Sequence, residues 1–320
     1  MPDVVCLGEV MVQFNAVTRG SLRHVALFEK HAAGAEGNVA IGVSRLGVSS
    51  GIITRVGDDE FGDFLLATLR GENVDTSRVV VDKDLPTAVY FIQRGYPIPG
   101  KSASVYYRHG SAGSRLSSSD VDPGYVTSAK VLHVTGITPA LSASAREATM
   151  FAIRLAKEHE VAVSLDTNIR LKLWSEDEAR AVLSQMCTMA DIVFTSRSDA
   201  KIILGDDEPP KIANLLHRKG VATVVVKLGN QGAFASSQGE TATAPTIPTH
   251  VEDPTGAGDS FAAAFLATQL KRWKLKDSIS AACATAAMVV GVRGDFENIP
   301  DMEALKSFLD YERGETEYLR

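Results

Sequence analysis

Short, continuous apolar runs recur along the chain, and each is followed by a polar or glycine turn, in most cases leading into a segment with helical periodicity. Because these runs do not alternate with polar residues, they are typical of strands in a parallel sheet that is covered on both faces. They occupy Val4–Leu7, Ser50–Arg55, Val131–Thr135, Ala162–Asp166, Ile192–Thr195 and Thr223–Lys227. The pattern predicts an α/β fold with a doubly wound, mostly parallel sheet covered by helices.

Helix-periodic segments lie between these strands and after the last of them, and some are followed by a glycine, as helices commonly are. The predicted helices are Asn38–Leu46, Phe61–Arg70, Ser142–Glu158, Glu176–Ala190, Ser198–Leu204, Lys211–Lys219, Ala257–Lys271, Lys276–Val292 and Met302–Tyr311. No linker is long enough to divide the chain, so we expect one domain over residues 1–320.

Two segments depart from this rhythm. Thr87–Arg94 and Ser104–Arg108 are aromatic, β-branched and alternating, and no helix separates them. They predict an antiparallel hairpin whose two faces differ. With Met11–Phe14 the hairpin could form a small separate sheet over the main one, a lid built from inserts at about residues 10–30 and 86–110. The alternative is an edge extension of the main sheet. Thr18–Lys30 is mixed in composition and predicts turns.

The connection within this hairpin, Gly95–Ser102, matches the phosphate-binding pattern GxxxxGK[ST] letter for letter. A P-loop requires a helix that starts at its lysine, whereas the residues after Lys101 alternate as a strand does. Pro97 and Pro99 also lack the N–H groups that would hold a phosphate. We therefore interpret the segment as a hairpin loop.

Composition and charge narrow the classes of partner. The 320 residues are 45% hydrophobic and 22% charged, as in ordinary globular proteins. Their net charge of −6 favours neither a nucleic acid nor a membrane as partner. No basic n-region begins the chain and no apolar run is long enough for a bilayer, so a cytoplasmic location is the expectation. The scattered thiols Cys6, Cys187 and Cys283 fit a reducing compartment.

The stretch Val251–Phe265, VEDPTGAGDSFAAAF, carries the clearest candidate chemistry. Pro254 stops a preceding helix, and Gly256, Ala257 and Gly258 allow a bare backbone to open directly onto a helix N-terminus. Unpaired N–H groups and the helix dipole make such a turn an anion site. Asp259 follows in the first helical turn. It could merely stabilise the helix end, but beside an anion hole it suits a base that deprotonates a hydroxyl during phosphoryl transfer.

Polar and glycine residues follow the predicted strands at the edge where an open parallel sheet binds its ligands. They are Gly8-Glu9, Gly57-Asp58, Gly136, Asp166-Thr167-Asn168, Ser196 and Lys227-Leu228-Gly229. The glycine-rich turn Gly34–Asn38 precedes a helix. Asn38 could cap that helix or offer its amide to a ligand hydroxyl, while Gly34 would let a ligand approach the backbone. This convergence predicts a small-molecule site.

Other candidates have structural alternatives that the sequence leaves open. Arg170, just after a buried strand, could clamp a carboxylate or a phosphate, or could be a solvated surface charge. Tyr106 and Arg108 share one face of a strand and could hold an acidic sugar, with Tyr107 on the other face. Lys227–Gly232 could form a hairpin turn or present backbone to a nucleotide. The seven histidines show no metal spacing, so a metal would arrive with a nucleotide.

The Gly34–Asn38 turn and the DPTGAGD turn, with a β-lid between them, resemble the two signatures of the ribokinase-like (PfkB) sugar kinases. The stretches RGYPIPGKS, VYYRHGSAGSRLS, DTNIRLKLW, VEDPTGAGD and RGDFENIP are similar to the branch of 2-keto-3-deoxygluconate kinases that also accepts the galactonate epimer. The likeness extends over essentially the whole chain. It implies ATP-dependent phosphorylation of the terminal hydroxyl of a sugar acid, with Mg²⁺ bound to the nucleotide.

The resemblance also implies residue roles. Asp259 would be the base, and Gly256, Ala257 and Gly258 the anion hole. The sugar acid would be held by Gly34, Asn38, Tyr90, Tyr106, Tyr107, Arg108, Arg170 and Asp295. The nucleotide would be held by Asn168, Arg170, Ser196, Lys227, Gly229, Gly232, Gly256 and Gly258. The family's metal-organising NxxE element is replaced by Ser196-Arg197-Ser198-Asp199, so Asp199 is one carbon shorter than the usual Glu. Lids of this kind often pair, so a homo-oligomer is expected.

Three rival functions follow from the same residues. A kinase of a neutral sugar such as fructose or ribose would share the anion hole but would not need Arg108 and Arg170. A non-catalytic nucleotide- or sugar-binding regulator could keep the fold, although Asp259 argues against it. A dinucleotide oxidoreductase fits worst, because no GxGxxG follows the first strand.

Overall fold

A computed structural model describes residues 1–314 and contains a nine-stranded sheet, a four-stranded sheet and the helices around them. The strands are β1 (Val4–Leu7), β2 (Met11–Ala16), β3 (Phe28–Ala33), β4 (Ser50–Gly57), β5 (Val74–Asp82), β6 (Val89–Arg94), β7 (Ser102–Tyr107), β8 (Val131–Thr135), β9 (Ala162–Asp166), β10 (Ile192–Ser196), β11 (Thr223–Lys227), β12 (Ala233–Ser237) and β13 (Glu240–Ala244).

The α-helices of the described residues follow or precede these strands in the predicted rhythm. They are α1 (Ala35–Arg45), α2 (Glu60–Gly71), α3 (Pro123–Thr127), α4 (Thr138–Leu141), α5 (Ala143–Glu158), α6 (Glu176–Cys187), α7 (Arg197–Leu204), α8 (Pro209–Arg218), α9 (Ala257–Leu270), α10 (Leu275–Val289) and α11 (Met302–Glu312). No helix within residues 1–314 is both long and apolar enough to cross a bilayer.

The large sheet has the order β13-β12-β11-β10-β9-β8-β1-β4-β5. The seven strands from β11 to β5 pair in parallel, and β12 and β13 add an antiparallel edge. Successive residues of the central strand β1 enter different cores: Val4 and Cys6 pack with α1, α9 and α10, and Val5 and Leu7 with α5 and α6. Both faces are therefore covered, and the predicted doubly wound sheet is confirmed.

The small sheet has the order β3-β2-β6-β7 and is separate from the large one, so the edge extension is wrong. Its hairpin pairs Tyr90 with Tyr106 and Val89 with Tyr107. The Gly95 N–H donates to the carbonyl of Lys101 and closes the connecting loop, and β7 begins at Ser102. The GxxxxGKS match is thus a hairpin loop followed by a strand, as we interpreted it.

The sequence missed β3, β5 and β13, which are all edge strands. An edge strand buries fewer side chains than a central one, so polar residues such as Glu29 and Arg78 interrupt its apolar pattern.

The bounds of the predicted helices agree with the structure to within three residues. The largest differences include α1, which begins at Ala35 rather than Asn38. Asn38 does not cap that helix; its side chain is turned toward α9.

Candidate active site

The turn before α9 is built to expose main-chain donors. Gly256 has a φ of 75°, a left-handed conformation that glycine adopts without strain. A Cβ atom at this position would collide with the carbonyl oxygen of Asp295, so the close approach requires glycine. No side chain within residues 1–314 caps the first turn of α9. Its free N–H groups lie at the positive end of the helix dipole, a geometry suited to an anion, and this turn is where the sequence predicts an anion hole.

Asp259 stands in the first turn of α9, next to this anion hole. Its Oδ2 accepts a hydrogen bond of 2.8 Å from Nδ2 of Asn38 on α1. Burial and the neighbouring Asp166 raise the pKa of Asp259 above the usual carboxyl value, while Asn38, Lys227 and Arg170 oppose that rise. A carboxylate with a raised pKa is a stronger base than an exposed aspartate, which suits it to take a proton from a hydroxyl.

Asp259 faces a cavity of about 330 Å³ at the carboxyl ends of the large sheet's strands, one wall of which is the small sheet. We call it the polar cavity. The residues from the predicted site that line it are Gly34, Tyr90, Tyr106, Arg108, Asn168, Arg170, Lys227, Gly256, Gly258, Asp259 and Asp295. These residues come from seven separate stretches of the chain, so the fold brings most of the predicted site into one place.

The three cations of the polar cavity differ in how far their charge is already neutralised. Arg108 is buried and donates from Nε to Oε2 of Glu9 at 2.8 Å. Lys227 forms an ion pair of 2.5 Å with Asp166. Arg170 is exposed, and its guanidinium makes no hydrogen bond or ion pair within residues 1–314. Arg170 is therefore the cation best placed to meet the charge of an anionic ligand.

A second, mostly apolar cavity of about 490 Å³ adjoins the first. We call it the apolar cavity. Its walls include Phe261 of α9 and Ala286, Ala287 and Val290 at the end of α10. The predicted residues Ala257, Gly229 and Gly232 line it, and Lys227, Pro254 and Gly258 line both cavities. The anion hole and Asp259 thus lie where a polar and an apolar compartment meet.

Comparison with known proteins decides the family. The model of the pfkB family carbohydrate kinases matches residues 1–302. A 2-dehydro-3-deoxygluconokinase from Thermoproteus tenax is 43% identical over 97% of this chain and 94% of its own length. This chain belongs to the pfkB family of carbohydrate kinases.

Two further proteins agree with this assignment. A 2-dehydro-3-deoxygluconokinase from Bacillus subtilis (strain 168) is 35% identical over 97% of this chain and 96% of its own. A solved structure of a putative ribokinase II from E. coli, in complex with ATP and Mg²⁺, has a TM-score of 0.91 at 26% identity. It covers 97% of this chain and 100% of that one. The ribokinase-like fold of this pfkB kinase is thereby confirmed.

Three predicted site residues of this pfkB kinase line neither cavity. Asn38 is buried, and its amide donates to Asp259 and Asp295 instead of facing the cavities. The side chain of Tyr107 is on the face of the small sheet opposite Tyr106, where its ring meets Phe91 edge-on at 5.8 Å between centroids. It lines neither cavity, because successive strand residues point to opposite faces. Ser196 also lines neither cavity, and its hydroxyl instead caps α7. Contact of these three side chains with a ligand inside the cavities is not supported by the structure.

Asp199 stands where the family's NxxE element has its Glu. Its carboxylate makes hydrogen bonds within the protein. Its Oδ2 accepts hydrogen bonds from the hydroxyl of Thr167 at 2.8 Å and from the N–H of Ile169 at 3.2 Å. These bonds hold the loop after β9 that carries Asn168 and Arg170 into the polar cavity. Asp199 therefore shapes this wall of the site from behind.

Two buried acids of the polar cavity, Glu9 and Glu36, were not among the predicted site residues, although Glu9 was predicted at the ligand-binding edge of the sheet. Glu9 accepts from Arg108 and, through Oε1, from the hydroxyl of Ser111 at 2.7 Å. Glu36, in the first turn of α1, accepts at Oε1 from the hydroxyls of Thr135 and Thr138 at 2.8 and 2.7 Å. The available signal was their position: Glu9 directly follows the first strand, and Glu36 lies between the glycines of the Gly34–Asn38 turn.

We expect Glu36 to make the stability of this pfkB kinase depend on pH. Burial is the largest cause that raises the pKa of Glu36 to about 7, above its value of about 4.5 in the unfolded chain. A group with a raised folded pKa costs stability as pH rises from its unfolded pKa to its folded one. Relative to Glu36→Gln, the wild type should therefore lose on the order of 1–3 kcal/mol between pH 4.5 and 7. Urea unfolding of both proteins at several pH values measures this, and parallel pH curves would contradict it.

Proposed function

We propose that this kinase transfers the γ-phosphoryl group of ATP to the terminal hydroxyl of 2-dehydro-3-deoxygluconate, also called 2-keto-3-deoxygluconate, to give the 6-phospho product. The observation that carries the proposal is Arg170, a cation that has no partner among residues 1–314 and lines the same cavity as Asp259. The relatives named 2-dehydro-3-deoxygluconokinase support this substrate. The galactonate epimer has the same carboxylate and the same terminal hydroxyl, so it belongs to the proposed substrate class.

The two cavities suit the two substrates. The apolar cavity can hold a nucleotide base between aliphatic and aromatic side chains, with its phosphates directed toward Lys227 and the anion hole. The polar cavity can hold the sugar acid with its carboxylate near Arg170 and its terminal hydroxyl near Asp259. Because Gly258 and Lys227 line both cavities, the γ-phosphoryl group and the hydroxyl would meet at the boundary.

The proposed step is an in-line displacement. Asp259 accepts the proton of the terminal hydroxyl while the hydroxyl oxygen of the sugar acid forms a bond to the γ-phosphorus. The bond between the γ-phosphorus and the bridging oxygen of ATP breaks, and ADP leaves with that electron pair. The N–H groups of the turn at Gly256–Gly258 stabilise the negative charge on the transferred group.

Mg²⁺ fits the proposal as an ion carried by the nucleotide. Among the described residues, no group of three His, Cys, Asp or Glu side chains could hold a metal. Oδ1 of Asp166 is buried without a hydrogen-bond partner, beside the ion pair with Lys227. An acceptor of this kind suits a water molecule bound to the ion. When bound, Mg²⁺ would neutralise phosphate charge during the transfer.

The small sheet is proposed to act as a lid. Its strands bring Tyr90 and Tyr106, and Arg108 just after β7, to the wall of the polar cavity. Water kept out of this space could not compete with the sugar hydroxyl for the phosphoryl group. A lid role predicts that little ATP is hydrolysed to ADP and free phosphate while the sugar acid is bound.

ADP production with a panel of substrates tests the proposed function. We expect kcat/KM for 2-dehydro-3-deoxygluconate or its galactonate epimer to exceed that for fructose and ribose by at least about 10-fold, the worth of one charge-assisted hydrogen bond. Higher kcat/KM for a neutral sugar would contradict the substrate and favour the rival kinase. No ADP from any of these substrates would contradict the proposed reaction and favour a binding protein.

A further inference from the structure

Strand β2 of the small sheet carries two buried amide side chains that the proposed step does not use. Gln13 and Asn15 both have an exposure of 0%. The residues between and beside them, Val12 and Phe14, point to the opposite face and pack against the core that contains α2. A buried amide must find hydrogen-bond partners, so two of them on one strand indicate a polar contact that the fold needs.

The partners of these amides are two aspartates of the large domain, the name used here for the large sheet with its helices and loops. Nε2 of Gln13 donates to Oδ1 of Asp295 at 2.6 Å, and Nδ2 of Asn15 donates to Oδ2 of Asp253 at 2.7 Å. A bond of 3.2 Å from Nδ2 of Asn15 to Oε1 of Gln13 joins the two amides. Oδ1 of Asn15 has no partner although it is buried. Turning this amide over would bring that oxygen against the Asp253 carboxylate, so the donors fix its orientation.

The same two aspartates belong to the loops that form the anion hole. Oδ1 of Asp253 accepts from the N–H of Thr255 at 3.0 Å and from its hydroxyl at 2.5 Å, which shapes the turn leading to Gly256. The main chain of Asp295 lies directly against Gly256. The small sheet is therefore bonded to both walls of the turn that would hold the transferred group.

The chain of hydrogen bonds continues to the proposed base. Nδ2 of Asn38 donates to Oδ2 of Asp295 at 3.3 Å and to Oδ2 of Asp259 at 2.8 Å. A continuous path thus runs from Asn15 and Gln13 on the small sheet, through Asp295 and Asn38, to the carboxylate of Asp259. Displacing β2 from the large domain would remove the support on one side of that path.

We propose that Gln13 and Asn15 are positioning residues that align the Asp259 carboxylate and its anion hole only while the small sheet lies against the large domain. The inference rests on the proposed function, because it assigns these residues a task in that reaction. If it holds, closing the small sheet also aligns the Asp259 carboxylate. When the site is open, Asp259 is then misaligned, and phosphoryl transfer to water is disfavoured.

The titration of Asp295 lets this proposal be tested through the pH dependence of kcat. Titratable groups from every element packed around Asp295 face its carboxyl. They are Asp259 on α9, Tyr90 on β6, His31 on β3, and Asp253 and Glu297 in the loops. Burial, followed by the charge of Asp259, raises the pKa of Asp295 to about 7. The 2.6 Å bond from Gln13 favours the ionised form, so its loss should raise that pKa further.

The test compares Gln13→Met with the wild type over pH. We expect kcat to fall about 10-fold to 10²-fold, because a slightly misplaced catalytic group is costly. Asp295 and Asp259 share the Asn38 amide and titrate as a coupled pair, so losing a donor to the pair should move the acid limb of the kcat profile to higher pH. KM for ATP should stay within about twofold, because the apolar cavity is untouched. Gln13→Glu keeps the shape of the side chain and sets a second carboxyl against Asp295. It should move the limb in the same direction even if Gln13→Met folds poorly.

Two comparisons separate positioning from simple stabilisation. Val12→Ala, on the same strand but facing the opposite core, should lower the unfolding temperature without moving the acid limb. When Asp259→Asn is already present, adding Gln13→Met should not lower the residual kcat any further. The inference is overturned if both Gln13 variants keep the wild-type pH profile, if Val12→Ala shifts it equally, or if the two effects multiply in the double variant. Full turnover in Asp259→Asn alone would instead overturn the proposed function.

Discussion

Replacing Asp259 by asparagine is expected to lower kcat by about 10²–10⁴-fold, the usual worth of a placed general base. This corresponds to about 2.7–5.5 kcal/mol of barrier. The amide keeps the shape of the side chain but cannot accept the proton of the terminal hydroxyl. KM for ATP should change little, because the apolar cavity and the main-chain donors of the turn are unaltered. Steady-state ADP production measures both constants.

The pH dependence of the wild type adds a second check on Asp259. A base must be ionised to act, so activity should fall as pH drops through the pKa of Asp259, which burial raises above the usual carboxyl value. Asp277 offers a matched control, since it is also an acid in the first turn of a helix but lies on α10, paired with Arg313 at 3.3 Å. Asp277→Asn should leave kcat unchanged. Near-normal turnover in Asp259→Asn would mean that Asp259 only stabilises its helix.

Replacing Arg170 by leucine should lower kcat/KM for the sugar acid by about 10- to 100-fold, the range of a hydrogen bond to a charged group. The reason is that Arg170 has no other partner within residues 1–314, whereas Arg108 already shares its charge with Glu9. The loss should fall mainly on KM for the sugar acid, while a neutral sugar should be phosphorylated as slowly as before.

Arg197 provides the control for this change, because it is an exposed arginine that lines neither cavity. Arg197→Leu should leave all constants within about twofold. If Arg170→Leu instead raises KM for ATP and slows every sugar equally, Arg170 binds the phosphates and the carboxylate is held elsewhere. No effect on any constant would show that Arg170 is a solvated surface charge.

The fold was predictable where burial leaves a strong imprint on composition. Central strands such as β1 and β11 are continuous apolar runs because both faces of the sheet are covered, and their bounds were predicted closely. The edge strands β3, β5 and β13 were missed because polar side chains are tolerated on the open side of a sheet. The apolar pattern of a segment thus indicates how completely it is buried. It indicates less directly whether the segment is a strand.

The site was predictable where local backbone chemistry creates it, as in the glycine turn at Gly256. It was less predictable where function depends on contacts between distant residues. The bond between Glu9 and Arg108 joins positions 99 residues apart, and it neutralises a cation that the sequence analysis assigned to the substrate. Strand alternation placed Tyr106 and Tyr107 on opposite faces, but only the packing of the small sheet shows that the face with Tyr106 lines the cavity.

The most direct measurement is a crystal structure of the Asp259→Asn variant with ATP, Mg²⁺ and 2-dehydro-3-deoxygluconate, which the slow variant should retain unreacted. We predict the nucleotide base in the apolar cavity and the γ-phosphate at the Gly256–Gly258 turn. The terminal hydroxyl should lie within hydrogen-bond reach of the side chain at position 259, with the carboxylate against Arg170. A sugar acid bound in the reverse direction, or a γ-phosphate away from that turn, would contradict the account.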